Sequence, residues 1–262
     1  MSIGKMLNIT KRLRLYLRVL INSTHPRVGI VINSLKMKWF GEFESNLLRY
    51  IIKPNSVAVD VGANHGAYTY LLSKICKTVI SFEPNKSLAK RLVDAKLPNV
   101  NVMPYGLSSR KSECNLYFEE VDGMLETGTA SINVQINVEK KRSIKVDVIS
   151  LDSLCLTQVD FIKIDVEGHE LEAIAGAVQT IKKYNPIMLI EIEQRHISIG
   201  IWEVINTVLQ LDYCGFFFYE KSMRSVMEFN VAIHQNHNLM KDRFKYCNNF
   251  LFVPCSKKRL CG

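Results

Sequence analysis

Between Ser56 and Gly66 the chain passes from a short apolar run rich in β-branched residues into a tight loop holding two glycines, Gly62 and Gly66. No other stretch restricts the fold as much. A bounded apolar run of this length reads as a buried strand, and the glycines that follow permit a sharp turn and a close backbone approach. The scheme then repeats. Residues 67–76 read as a helix and 77–82 as the next strand. Asn85 is placed to cap a helix reaching about Ala95, and 99–103 form a third strand. After an irregular middle, a strand over 160–164 leads into a helix over 170–183, with Leu171, Ile174, Val178 and Ile181 on one face. A strand at 187–192 and a helix at 202–211 follow. Such alternation predicts an α/β fold with a mostly parallel sheet and helices on both faces. Short late runs at 216–219 and 250–253 predict an antiparallel edge. Pro54 stops a short helix carrying Leu47, Leu48, Ile51 and Ile52, and the alternating segments 115–119 and 144–149, around a glycine-containing stretch near 124–132, predict a hairpin-like insertion or extra strands.

The chain has 262 residues and a net charge of +9, and the charge is unevenly placed. Residues 1–41 hold Lys5, Lys11, Arg12, Arg14, Arg18, Arg27, Lys36 and Lys38 and no acidic residue, so the remainder is nearly neutral. A nucleic-acid partner is therefore not expected from charge. Met6, Ile9, Leu13, Leu17 and Leu20 at helical spacing, among the basic residues, predict an amphipathic helix that docks on the domain or a partner subunit, or lies on an anionic membrane surface. Uninterrupted apolar runs fall short of the ~20 residues of a membrane span, and the basic residues interrupt any signal-peptide core. The seven cysteines form no CxxC pair, so reduced thiols in a cytoplasmic protein are expected, without a disulfide framework or zinc site. The expected organisation is a basic extension over 1–41, one domain over 42–256 and a short basic tail over 257–262.

Ligands of open α/β sheets bind beyond the carboxyl ends of the strands. Three such ends carry chemistry. The first is DVGANHG at 60–66, where Gly62 and Gly66 flank Asn64, a residue tolerant of left-handed geometry. At the second, Glu83 lies 17 residues past Gly66 in SFEP, placed to accept hydrogen bonds from both ribose hydroxyls of an adenosine. GANHG lacks the GxGxxG spacing of a pyrophosphate loop, and Asp60 suits a cationic sulfonium ligand with an amino-acid tail better than a pyrophosphate. This favours S-adenosylmethionine over NAD. The third end is KIDVEGHE at 163–170, with Asp165 and Glu167, joined by Glu191 and Glu193 and then Arg195 and His196. Carboxylates crowded on one rim perturb one another's pKa, which serves a base.

These residues carry a family resemblance. DVGANHGAYT (60–69), SFEP (81–84), FIKIDVEGHELEAIAGA (161–177), IEIEQRH (190–196) and NNFLFVP (248–254) resemble the FkbM family of S-adenosylmethionine-dependent methyltransferases, over roughly Glu42 to Pro254. The resemblance implies a Rossmann-like class I methyltransferase fold, a mostly parallel seven-stranded sheet with an antiparallel edge strand. It also implies O-methylation of a small molecule or glycan sugar. By that likeness Asp60, Gly62, Asn64 and Gly66 line the methionine end of the cofactor, and Glu83 holds the ribose. Tyr105, Gly106 and Leu107 lie near the adenine, while Asp165 and Glu167 face the transferring methyl.

An alcohol acceptor must lose its proton, so alignment and a base are required. His196, Asp165 and Glu193 are the candidates, and His196 has the most suitable unperturbed pKa. The carboxylate cluster could instead hold Mg²⁺, although no motif compels a metal. Two rival classes are an NAD(P)-linked oxidoreductase and a non-catalytic scaffold that uses residues 1–40 at a membrane surface. The basic N-terminus leaves peripheral membrane contact and homo-oligomerisation open. No Asn/Asp-Pro-Pro-aromatic turn follows the fourth strand, which disfavours base-amino methylation of nucleic acid.

Overall fold

The computed structural model describes residues 25–40, 42–121, 124–132, 141–240, 242 and 244–256. The amphipathic helix expected over 6–20 and the basic tail lie outside the described residues. Twelve strands are described: β1 Val57–Val61, β2 Thr78–Phe82, β3 Val100–Met103, β4 Gly106–Leu107, β5 Ser112–Val121, β6 Met124–Ser131, β7 Lys141–Ile149, β8 Phe161–Ile164, β9 Ile187–Glu191, β10 Tyr213–Tyr219, β11 Ser222–Ser225 and β12 Asn249–Pro254.

Eight of them form the main sheet, in the order β11-β10-β12-β9-β8-β1-β2-β3. The run from β9 to β3 is parallel, as expected of strands joined through helices. β12 enters antiparallel between β9 and β10, and β11 adds an eighth strand as an antiparallel hairpin with β10. Alternation along each strand separates two cores. Val59, Val61, Ile162 and Ile164 pack on the helices Glu170–Ala175, Val178–Tyr184 and Ile201–Leu209. Ala58, Val79, Phe161 and Leu189 pack on the opposite side with Leu48, Tyr68 and Leu72, from the helices Leu48–Ile51 and Ala67–Ser73. The helix Pro26–Phe40 lies over Ala67–Ser73 and buries Ile30 beside Leu92 of the helix Lys86–Asp94. Asn85 caps that last helix, its side chain accepting from the main-chain N–H groups of Ser87 and Leu88.

The irregular middle is a second sheet, β4-β7-β5-β6, with Leu116, Phe118 and Val146 as its core. The stretch near 124–132 is thus a strand of that sheet rather than a loop. The single helix expected over 170–183 divides at Gly176 and Ala177. A Cβ on Gly176 would fall 2.0 Å from the Ser108 carbonyl oxygen, so the chain before β5 presses on the helix there. The second half starts afresh because Asp152 accepts from the N–H groups of Gln179 and Thr180 at 3.0 and 2.8 Å.

The reading of all cysteines as reduced is corrected: Cys214 and Cys255 form a disulfide. Antiparallel pairing of β10 with β12 sets Cys214 opposite Val253, and the two Cα atoms lie 5.4 Å apart. A separation of 41 residues hides this proximity from any reading of spacing.

Candidate functional site

Asp60, the last residue but one of β1, is almost fully buried. Its Oδ2 accepts a 2.6 Å hydrogen bond from the Thr69 hydroxyl, at the start of the next helix. Burial pushes its carboxyl up to about 6, against the Thr69 hydrogen bond. The turn that follows leaves no room for side chains. Gly62 has φ +82°, and a Cβ there would lie 1.8 Å from the Asp165 carbonyl oxygen, so the β1 and β8 loops touch backbone to backbone. Asn64 also takes positive φ, 47°. Gly66 has φ +78° and packs against Leu92 and Ile30, which makes it a turn and packing residue outside the cavity walls.

Glu83 follows β2. Its Oε2 accepts from the Asn64 N–H at 2.7 Å and its Oε1 from the Asn85 N–H at 2.8 Å. Burial raises its carboxyl to about 7, although both hydrogen bonds pull the other way. It lines a cavity of about 630 Å³ together with Gly62, Asn64, Gly106 and Leu107, and Leu116, Phe118 and Ile132 of the second sheet's layer complete an apolar wall. Tyr105 is not in that wall; it packs against the main core.

At the end of β8, Asp165 and Glu167 both line this cavity. Glu167 has positive φ, 51°, next to Gly168, and its carboxylate contacts His196 Nδ1. Burial raises the Glu167 carboxyl despite His196. For the imidazole, burial acts to lower the pKa, but the Glu167 hydrogen bond and charge prevail and raise it. His196 stands behind Glu167 rather than in the cavity wall. Glu193 is engaged elsewhere: Arg195 binds it, Tyr246 donates at 2.9 Å and Asn248 at 3.1 Å. Although burial acts to raise it, Arg195 and Tyr246 hold its carboxyl below the usual range, which suits an anchor better than a base. Glu170 accepts from the Gly168 N–H at 2.9 Å, and burial pushes its carboxyl to about 7.

A second cavity of about 790 Å³ shares Gly62, Asn64 and Asp165 with the first. Asn33, Lys36 and Met37 of the helix Pro26–Phe40 wall it, facing Glu42, Asp60 and Lys163. Lys163, in the middle of β8, is wholly buried. Its Nζ donates to Asn249 Oδ1 at 3.0 Å, lies 3.7 Å from Glu191 and stands 4.9 Å over the Tyr68 ring. Burial opposes its charge, but Asp165, Glu191, Glu42 and Asp60 outweigh that and raise its pKa. Glu42, raised by burial, accepts from the Tyr68 hydroxyl and from Asn249 at 3.1 Å. Asn33, Lys36, Glu42 and Lys163 are the site residues that the sequence reading missed. The charged Lys163 inside the apolar run FIKI was the available signal, since an unpaired buried lysine is costly.

A protein-family model, the methyltransferase FkbM domain, matches residues 60–218. The hexuronic acid methyltransferase AglP of Haloferax volcanii is 28% identical over 156 residues, 56% of this chain and 61% of that protein. The crystal structure of methyltransferase FkbM from Methylobacillus flagellatus KT superposes with a TM-score of 0.50 at 16% identity, over 87% of this chain and 55% of that one. The chain thus spans less than two thirds of either relative. The superposition bears out the α/β fold with its mostly parallel sheet.

Proposed function

This chain belongs to the FkbM methyltransferase family, and from that premise we propose that it transfers a methyl group from S-adenosylmethionine to a hydroxyl oxygen of a sugar. The observation that carries the reading is the Glu83 carboxylate. Each of its oxygens is fixed by one main-chain N–H, which leaves acceptor capacity for a vicinal diol. The apolar wall of Leu107, Leu116, Phe118 and Ile132 suits an adenine ring beside it. The adjoining cavity suits an amino-acid tail. Lys36 and the buried Asn33 amide, which has no partner among the described residues, would take its carboxylate, and Glu42, Asp60 and Asp165 its ammonium. When bound, S-adenosylmethionine supplies an electrophilic methyl on a cationic sulfur. Asp165, common to both cavities, is placed to stabilise that positive charge.

Glu167 is the general base in this proposal. It faces the first cavity, and burial brings its pKa closer to the working pH. His196 is a positioning residue that orients the carboxylate from behind. The Haloferax relative's name brings uronic sugars forward as the acceptor class. A hydroxyl is preferred to a carboxylate as nucleophile, because Asp165 and Glu167 line this cavity and would repel an anion at the reacting position, while a uronate carboxylate can point away from it.

The test uses the full chain with methyl-labelled S-adenosylmethionine and a panel of uronic and neutral saccharides. Label should enter an alkali-stable ether, and Glu167→Gln should lower kcat by roughly 10²–10⁴-fold while S-adenosylhomocysteine still raises Tm. An alkali-labile product would replace the hydroxyl by a carboxylate acceptor. Stabilisation by NADH and not by S-adenosylhomocysteine would overturn the proposal in favour of an oxidoreductase.

A further inference from the structure

β8 and β9 are parallel neighbours, with Ile164 opposite Ile190, so the chain leaves both strands at the same end of the sheet. The turns that follow them press together. A Cβ on Gly168 would fall 2.3 Å from the His196 carbonyl oxygen, and the Glu167 carboxylate meets His196 Nδ1. Arg195, next in the chain to His196, therefore flanks the pair that includes the proposed base. Its turn is pinned on both sides. The Gln194 N–H donates to Gln235 Oε1 at 2.8 Å, Gln194 Nε2 donates to the Ile199 carbonyl oxygen at 2.8 Å, and Gln194 Oε1 accepts from the Ile201 N–H at 2.8 Å. The guanidinium is only partly used. Its Nε donates to Glu193 Oε2, and among the described residues neither Nη has a hydrogen-bond partner. The Arg195 side chain is 44% exposed, whereas Glu193 is buried. Burial opposes the guanidinium charge, but Glu193, with Tyr246 and Glu167 near by, prevails and raises its pKa.

We infer that the exposed Nη groups of Arg195 bind the carboxylate of an acidic sugar acceptor and so turn a hydroxyl of that sugar toward Glu167. The inference rests on the proposed O-methylation of a sugar. A planar fork of N–H donors matches a carboxylate, and a guanidinium keeps its charge at any working pH. Glu193 does not use up that charge, because Tyr246 and Asn248 donate to the same carboxylate at 2.9 and 3.1 Å. Other cations near the site have tasks already. Lys36 and Lys163 wall the second cavity, where the amino-acid tail is proposed to lie, and His196 is paired with Glu167. Seating the acceptor's anion on Arg195 keeps it away from Asp165 and Glu167, which line the first cavity, while a neutral hydroxyl approaches the methyl. Glu193 is a positioning residue here. It fixes the guanidinium through Nε, so little side-chain freedom is lost when the acceptor arrives.

The experiment offers the full chain matched uronic and neutral saccharides of gluco, galacto and manno configuration, with methyl-labelled S-adenosylmethionine. The wild type should favour the uronic member of at least one pair by roughly 10- to 100-fold in kcat/KM, the range of hydrogen bonds to a charged group. In Arg195→Met that preference should collapse to about one, through a raised KM for the uronic saccharide. Arg195→Lys keeps a cation beside Glu193 without the planar fork and should fall between the two. It carries the test if Arg195→Met does not fold. S-adenosylhomocysteine should still raise the Tm of both variants, which separates the acceptor from the cofactor. Equal losses on the uronic and neutral saccharides would reduce Arg195 to a structural partner of Glu193 and overturn the inference. A wild type without preference inside any pair would overturn it too, and would leave sugar O-methylation standing. If S-adenosylhomocysteine binds but no saccharide takes up label, or the label enters an alkali-labile ester, the acceptor reading fails and the inference falls with it.

Discussion

Glu83 gives the sharpest handle on the site, because its protonation state and its proposed task oppose each other near neutral pH. With its carboxyl raised to about 7 by burial, the free protein holds Glu83 largely protonated at pH 6 and largely ionised at pH 8. Only the ionised form can accept from two main-chain N–H groups and two ribose hydroxyls at once. If binding requires that form, apparent affinity follows its population, ~10% at pH 6 and ~90% at pH 8. Affinity for S-adenosylhomocysteine should therefore rise about tenfold over this range, with about one proton released per ligand at pH 6. Glu83→Gln should weaken binding by about 2–3 kcal/mol, roughly 30- to 150-fold, and flatten the pH profile. In the free protein the same shift acts on stability. The folded pKa lies above the unfolded value of roughly 4.3, so the native state binds more protons between the two. Stability should fall as pH climbs from about 4 to 7, by about 3 kcal/mol from this residue. Asp60, raised to about 6, adds a loss of the same sign at lower pH. Titration calorimetry at pH 6, 7 and 8, in buffers of different ionisation enthalpy, measures affinity and proton count together. A wild-type affinity that stays level across this range, or a Glu83→Gln protein that keeps the slope, would refute the reasoning.

Two further substitutions probe the architecture. Gly62→Ala places a Cβ 1.8 Å from the Asp165 carbonyl oxygen at a φ of +82°, so the β1 and β8 loops must separate. Thermal denaturation should show a loss of several kcal/mol, beyond the ~1–3 kcal/mol of ordinary overpacking, and a Tm within a degree of wild type would show that the loops part easily. Lys163→Met leaves Glu191 and Glu42 buried without their cation. Breaking such a pair costs about 3–5 kcal/mol, partly recovered at low pH where the carboxyls protonate; urea denaturation at pH 5 and pH 8 measures the difference, and equal losses at both values would dismiss the charge argument.

The local parts of this protein were legible along the chain. Buried parallel strands declare themselves as short β-branched runs, the Asn85 cap sits directly before the helix it starts, and the loop 60–66 and Glu83 are near in sequence because consecutive strands of a parallel sheet are neighbours. Tertiary structure alone decided what depends on distant chain segments meeting. It joined Cys214 to Cys255 across an antiparallel pair and broke a continuous helical pattern at Gly176 against Ser108. It tied Glu193 to Tyr246 and Asn248 and left Glu167 facing the cavity with His196 behind it. It also laid the helix Pro26–Phe40 across the helices Ala67–Ser73 and Lys86–Asp94, adding Asn33 and Lys36 to the site. Periodicity reports which face of an element is apolar. It carries no information about which partner covers that face, because that is settled by packing between residues far apart in the sequence.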